Sequence, residues 1–147
     1  MSTYDAQLEF DDNAAHTSSS TTSTNVIDLS LARKIGVGTP IYIEVVVTAA
    51  MTDASSNKTM TVTLETGSAL SSGAISSPTT AQTIGTFPAL SAIGTKLQVA
   101  LSPSVNARYA QLRYATSTGS LTTGSFSGYI PTSLDSFTHY TSGRVFS

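Results

Sequence analysis

Apolar side chains recur at every second position over several short runs of this chain, with polar residues in the places between. In IYIEVVVT, Ile41, Ile43, Val45 and Val47 form an aliphatic row with Tyr42, Glu44, Val46 and Thr48 between them, the period of an extended strand with one face on a core. TMTVTLET sets Met60, Val62 and Leu64 against Thr59, Thr61, Thr63 and Glu65, and YDAQLEF sets Tyr4, Ala6, Leu8 and Phe10 against Asp5, Gln7 and Glu9. Leu97, Val99 and Leu101 alternate, as do Ala110, Leu112 and Tyr114 against Arg108, Gln111 and Arg113 in RYAQLRYA. Shorter strands are predicted from Asn25 to Leu29, from Gln82 to Phe87 and from Gly124 to Ile130. No segment carries a 3.6-residue apolar stripe, so the expected class is all-β.

The stretches between these runs read as connections. DDNAAHTSSSTTST, from Asp11 to Thr24, has no large apolar residue and no period, and is expected to be a long polar crossing segment. Arg33, Lys34, Gly36 and Gly38 mark a turn before Pro40, which sits at a strand entrance where its missing N–H does least harm. GSALSSGAISSPTT and the segment from Pro88 to Thr95 read as loops. About eight strands in one open sheet would leave an apolar face wet, so a two-layer antiparallel β-sandwich is expected, and eight strands suit a jelly roll. Alternation alone does not choose between that topology and an immunoglobulin-like one. A β-sandwich domain is expected over residues 1–133, with a C-terminal arm over 134–147.

Composition narrows the function classes. A chain of 147 residues fits one domain, able to bury roughly 70% of its unfolded surface without disulfides. Cysteine is absent, so there is no thiolate metal site and no thiol nucleophile. Charged residues are 11% of the chain while Ser and Thr make up about a third, against about 25% charged in ordinary domains. The expected surface is therefore one of neutral hydroxyls. A net charge of −2 and a pI near 5.5 supply no basic footprint for nucleic acid. No apolar run is long enough for a membrane helix, and the N-terminus lacks the pattern of a secretory signal, so a soluble protein without membrane partners is expected.

Chemical motifs are few. His16 in a polar loop and His139 in the arm have no ligand-spaced partners, and Asp5, Glu9, Asp11 and Asp12 form an acidic concentration without the glycine and distal Glu of a calcium loop. It reads as a solvated strand end. There is no G-x-S-x-G elbow, and Gly36-Val37-Gly38 runs into a strand where a dinucleotide motif needs a helix. Asn57-Lys58-Thr59 fits a glycosylation acceptor that would matter only in a secretory path. No catalytic residue, metal or cofactor is expected. Interface anchors are better supported: Tyr4 and Phe10 at one end, which could equally be core, and Phe137, Tyr140 and Phe146 in the arm. Arg108 and Arg113 flank a strand on its outward face, where they would pair with acids on a partner or keep that face soluble.

Taken in order, the STNVIDL strand from Ser23, the Arg33-Lys34-Ile35-Gly36 turn with Gly38 before Pro40, the Ser76-Ser77-Pro78-Thr79-Thr80 loop and RYAQLRY from Arg108 to Tyr114 carry a resemblance. The chain resembles the capsid cement proteins of tailed bacteriophages, also called decoration or head-stabilising proteins, from about Tyr4 to Ile130. The resemblance implies a jelly-roll sandwich on the outer surface of the virion capsid, made in the host cytoplasm. Its partner would be the major capsid protein, and it would form a small homo-oligomer, a dimer first and a trimer as the alternative. It brings no catalytic residue. The alternative from another class is a carbohydrate-binding β-sandwich or receptor-binding adhesion protein, which would want a row of exposed aromatics, whereas this chain has no Trp and dispersed tyrosines.

Overall fold

Strand alternation is answered by two facing sheets in the computed structural model, which describes residues 3–34, 41–102 and 106–133. The strands are β1 (Thr3–Ala15), β2 (Ser20–Thr22), β3 (Ile27–Lys34), β4 (Tyr42–Thr52), β5 (Met60–Gly67), β6 (Leu70–Ser71), β7 (Ala74–Ile75), β8 (Thr79–Phe87), β9 (Lys96–Ala100), β10 (Asn106–Thr116) and β11 (Thr123–Ser133). One sheet has the order β1-β11-β4-β9. The other runs β2-β10-β5-β8, with β3 also on β10, and every pairing is antiparallel.

If β2 and β3 count as one interrupted strand and the short β6–β7 hairpin is set aside, eight strands remain. In chain order they lie 1-8-3-6 in one sheet and 2-7-4-5 in the other. That is the double Greek key of a jelly roll, the topology that alternation alone left open.

The core lies where the inward rows meet. Ile43, Val45 and Val47 of β4 face Val62 and Leu64 of β5 and Leu112 and Tyr114 of β10, with Phe10, Phe87 and Phe126 filling the space between. Phe126 packs at 5.4 Å from Phe87 and 5.3 Å from Tyr114 in tilted geometry, the arrangement that ring quadrupoles favour. Gly128 on β11 is required by close approach: a Cβ there would sit 2.7 Å from Leu112 Cδ1 and 3.2 Å from the Tyr114 hydroxyl.

Two expectations change. The region from Asp11 to Thr24 is not a loose crossing: β1 continues to Ala15, and β2 pairs with β10 through Arg113↔Thr22 and Tyr114↔Thr21. Backbone hydrogen bonds replace apolar period there, which is why the pattern gave no strand. The acidic stretch is not a solvated strand end throughout either, since Asp11 is fully buried.

Candidate functional site

Four carboxylates are buried among the described residues, and three of them, Asp11, Glu44 and Glu65, are held by side chains from strands far apart in sequence. Asp11 leaves the end of the Tyr4–Phe10 alternation and turns inward beside Phe10. Its Oδ2 accepts the Tyr114 hydroxyl at 2.8 Å and its Oδ1 accepts the Thr24 backbone N–H at 2.7 Å. His16 closes the cluster, with its ring stacked on Tyr114 at 4.0 Å and 11°. His16 Nε2 lies 3.1 Å from Asp11 Oδ2 without making a regular hydrogen bond, and Nδ1 shares a hydrogen bond of 2.8 Å with Thr21 Oγ1. Burial pushes the Tyr114 phenol well above its ordinary pKa, and the charge and hydrogen bond of Asp11 add to the effect. The phenol is thus a firm donor at neutral pH.

Glu44 sits on the outward side of β4 yet is only 1% exposed. Tyr129 and Gln98 are its cross-strand neighbours on either side. The Tyr129 hydroxyl donates to Oε1 at 2.5 Å and Gln98 Nε2 to Oε2 at 2.7 Å, with Lys96 Nζ at 3.8 Å. Glu65 repeats the device on the other sheet: Gln111 Nε2 donates to Oε1 at 2.8 Å and Arg113 Nε to Oε2 at 2.6 Å. Arg113 also reaches Ser20 Oγ. These groups bind neighbouring strands together and satisfy the polar atoms that burial would otherwise penalise.

The interface candidates separate accordingly. Phe10 is 0% exposed and belongs to the core, so of its two readings the core one holds and it cannot anchor a partner. Tyr4 lies on β1 opposite Pro131; its side chain is outside what the structure describes. Arg113 is engaged by Glu65 of its own chain, and Arg108 by Asp28 through its Nε at 3.2 Å, with its guanidinium also over Tyr109 at 4.8 Å. Phe137, Tyr140 and Phe146 lie outside the described residues, as does His139. His16, expected in a polar loop, lies between β1 and β2 and is buried. Asp11 and Tyr114 are 103 positions apart, and no local motif announces their meeting.

Among the described residues the open surface includes two shallow grooves. One of about 260 Å³ is lined by Thr66, Ser68, Ser77, Thr79 and Arg108, whose guanidinium already serves Asp28. The other, of about 610 Å³, lies between Glu9, Asn25 and Asp28 on one side and Leu70 and Gly73 of the β6–β7 hairpin on the other. Among the described residues no three His, Asp or Glu side chains are grouped to hold a metal ion. Elsewhere the faces carry hydroxyls bonded to one another, such as Thr61 to Thr86 at 3.0 Å and Thr52 to Thr123 at 2.7 Å. The remaining salient feature is apolar: Leu90 and Ile93 stand 50% and 70% exposed on the loop from β8 to β9.

No curated protein matches the chain at a significant level. A family model described as Bbp16 matches residues 10–130, a span that runs from the buried Phe10 and Asp11 to Ile130 and takes in nearly all of the sandwich. The chain belongs to the Bbp16 family.

Proposed function

We propose that this protein is a non-enzymatic structural component of a virion, a cement protein that binds the outer surface of a tailed-phage head across its major capsid protein subunits and stabilises the shell. The observation that carries the reading is the ordered set of strand and turn motifs from Ser23 to Tyr114, whose described strand residues fall on β3, the start of β8 and β10 of one jelly roll. The internal use of charge supports it. Asp11, Glu44 and Glu65 are spent on holding strands together, while the exposed surface is rich in neutral hydroxyls. Copies can then crowd on a shell with little mutual repulsion.

The mechanism is additive burial. A subunit bridging two shell proteins contributes roughly 25 cal/mol per Å² of apolar surface removed from water, less the cost of ordering. Repetition over the shell multiplies weak contacts by avidity. No bond is made or broken.

The test is co-sedimentation of the purified protein with phage heads that lack it, followed by heating. Saturable binding in a fixed ratio to capsid subunits with a raised rupture temperature is the expected result. Absence of binding to such heads would refute the reading and leave the sandwich without a capsid role.

A further inference from the structure

From Thr66 to Thr95 the chain contains no Asp, Glu, Lys, Arg or His. The large apolar side chains most exposed among the described residues, Leu70, Leu90 and Ile93, all lie in this segment. Two of them share the loop from Pro88 to Thr95, which is tied down along its length. Ser91 Oγ donates to the Pro88 carbonyl at 2.7 Å, and the Ser91 carbonyl accepts the Met51 N–H at 3.0 Å. Gly94 N–H donates to the Val47 carbonyl at 2.9 Å, and Val47 N–H returns to the Thr95 carbonyl at 2.8 Å. The loop is thus clamped onto β4, and Ser91 is buried while its neighbours project.

Leu90 has φ +59°, a left-handed conformation that costs a side chain with a Cβ and that glycine or asparagine would adopt more cheaply. Strain of this kind persists where the surroundings enforce it, and it clusters at functional positions. Burial does not explain it here, because half of Leu90 faces solvent.

We infer that the Pro88–Thr95 loop is a preorganised apolar anchor, with Leu90 and Ile93 seating in an uncharged apolar cleft on the shell protein. The inference rests on the capsid-binding reading proposed above and names the contact through which that binding is made. Three features select the occupant. The segment has no charge with which to recognise an acidic, basic or phosphate-bearing partner. The two side chains expose on the order of 200 Å² together, whereas a standard stable interface takes about 800 Å² from each partner, so the loop cannot by itself hold a second copy. A small rigid contact suits a lattice that repeats it, since little ordering is lost at each site and avidity does the rest.

The experiment compares the full chain with its Leu90→Ser/Ile93→Ser variant, in titrations against heads lacking the protein at low and high salt. Both side chains are exposed, so the variant is expected to keep the wild-type melting temperature. Its apparent affinity is expected to fall tenfold or more, by the same factor at both salt concentrations. A folded variant that binds as tightly as wild type overturns the anchor and leaves the capsid reading intact. Failure of wild type itself to sediment with heads overturns the capsid reading and the shell occupant with it. A photocrosslinker at Ile93, in a separate arm, is expected to join the chain to the shell protein; crosslinks confined to a second copy overturn the inference.

Discussion

Replacing Tyr114 by Phe removes one oxygen from the interior and tests what the Asp11 cluster contributes to stability. The ring's volume is kept, so no cavity opens, and the change isolates the 2.8 Å hydrogen bond to Asp11 Oδ2. A buried hydrogen bond to a charged acceptor contributes about 1.5–3 kcal/mol. Asp11 retains the Thr24 N–H at 2.7 Å and the His16 ring nearby, which places the expected loss near the middle of that range. For a chain of this size about 2 kcal/mol lowers the melting temperature by roughly 4–8 °C. In urea the midpoint is expected to fall with an unchanged slope, the sign of lost stability without altered compactness.

Alkaline pH supplies an independent readout. The buried phenol keeps its proton to higher pH than an unfolded tyrosine, whose pKa is about 10. Above about pH 10 the unfolded chain therefore sheds this proton first, and the stabilisation fades as pH rises toward the folded value. The variant lacks that component, so its gap from wild type is expected to narrow above about pH 10. A loss below about 0.5 kcal/mol at neutral pH, or a gap that stays constant into alkali, would refute the reasoning. A double-mutant cycle with Asp11→Asn apportions the pair directly.

Other perturbations follow from the same geometry. His16→Ala removes the ring stacked on Tyr114 and is expected to cost about 2–3 kcal/mol in thermal or urea unfolding; a neutral effect would mean the ring is not packed. Gly128→Ala drives a methyl to 2.7 Å from Leu112 Cδ1 and is expected to destabilise by about 1–3 kcal/mol, measured by the same melts. Asp53 has its pKa lowered, because backbone N–H groups of Lys58, Ser55, Asn57 and Ser56 outweigh the opposing effect of burial. Its contribution is therefore present above the unfolded value near 4 and lost as pH falls, so Asp53→Asn is expected to flatten the acid limb of stability, and parallel acid titrations would count against this. Leu90→Gly exchanges a strained residue for one at ease at φ +59° and is expected to melt no lower than wild type; a clear drop in melting temperature would show that Leu90 packs more than its exposure implies.

How much of this was legible in the sequence depends on the physical signal involved. The inward row of β4, from Ile43 to Val47, is visible because one dry face imposes a period of two. The same holds for Met60 to Leu64 and for Ala110 to Tyr114. The strand β2 was not visible, since Ser20–Thr22 has no apolar row and is held by register with β10. Alternation also assigned Glu44 to the wet side, correctly for direction and wrongly for exposure. Direction is local, whereas cover comes from Tyr129 and Gln98 on other strands. The meeting of Asp11, His16 and Tyr114 was hidden for the same reason. Arg108 and Arg113 stood out as charges in a strand, but Asp28 and Glu65 lie 80 and 48 positions away.

The pairing of β1 with β11 bears on how the protein is made. Among the described residues the first strand has its sheet partner in the last, with Thr3 opposite Ser133 and Ala15 opposite Ser125. A ribosome releases the chain from one end, so β1 must wait through the synthesis of everything between before its sheet can close. Such distant closure slows folding, and a long strand left unpaired meanwhile is open to the wrong neighbour. Asp11, near the end of that strand, would then serve twice: beside Asp12 its charge would oppose pairing with a like strand in the nascent chain, and in the finished sandwich it accepts the Tyr114 hydroxyl.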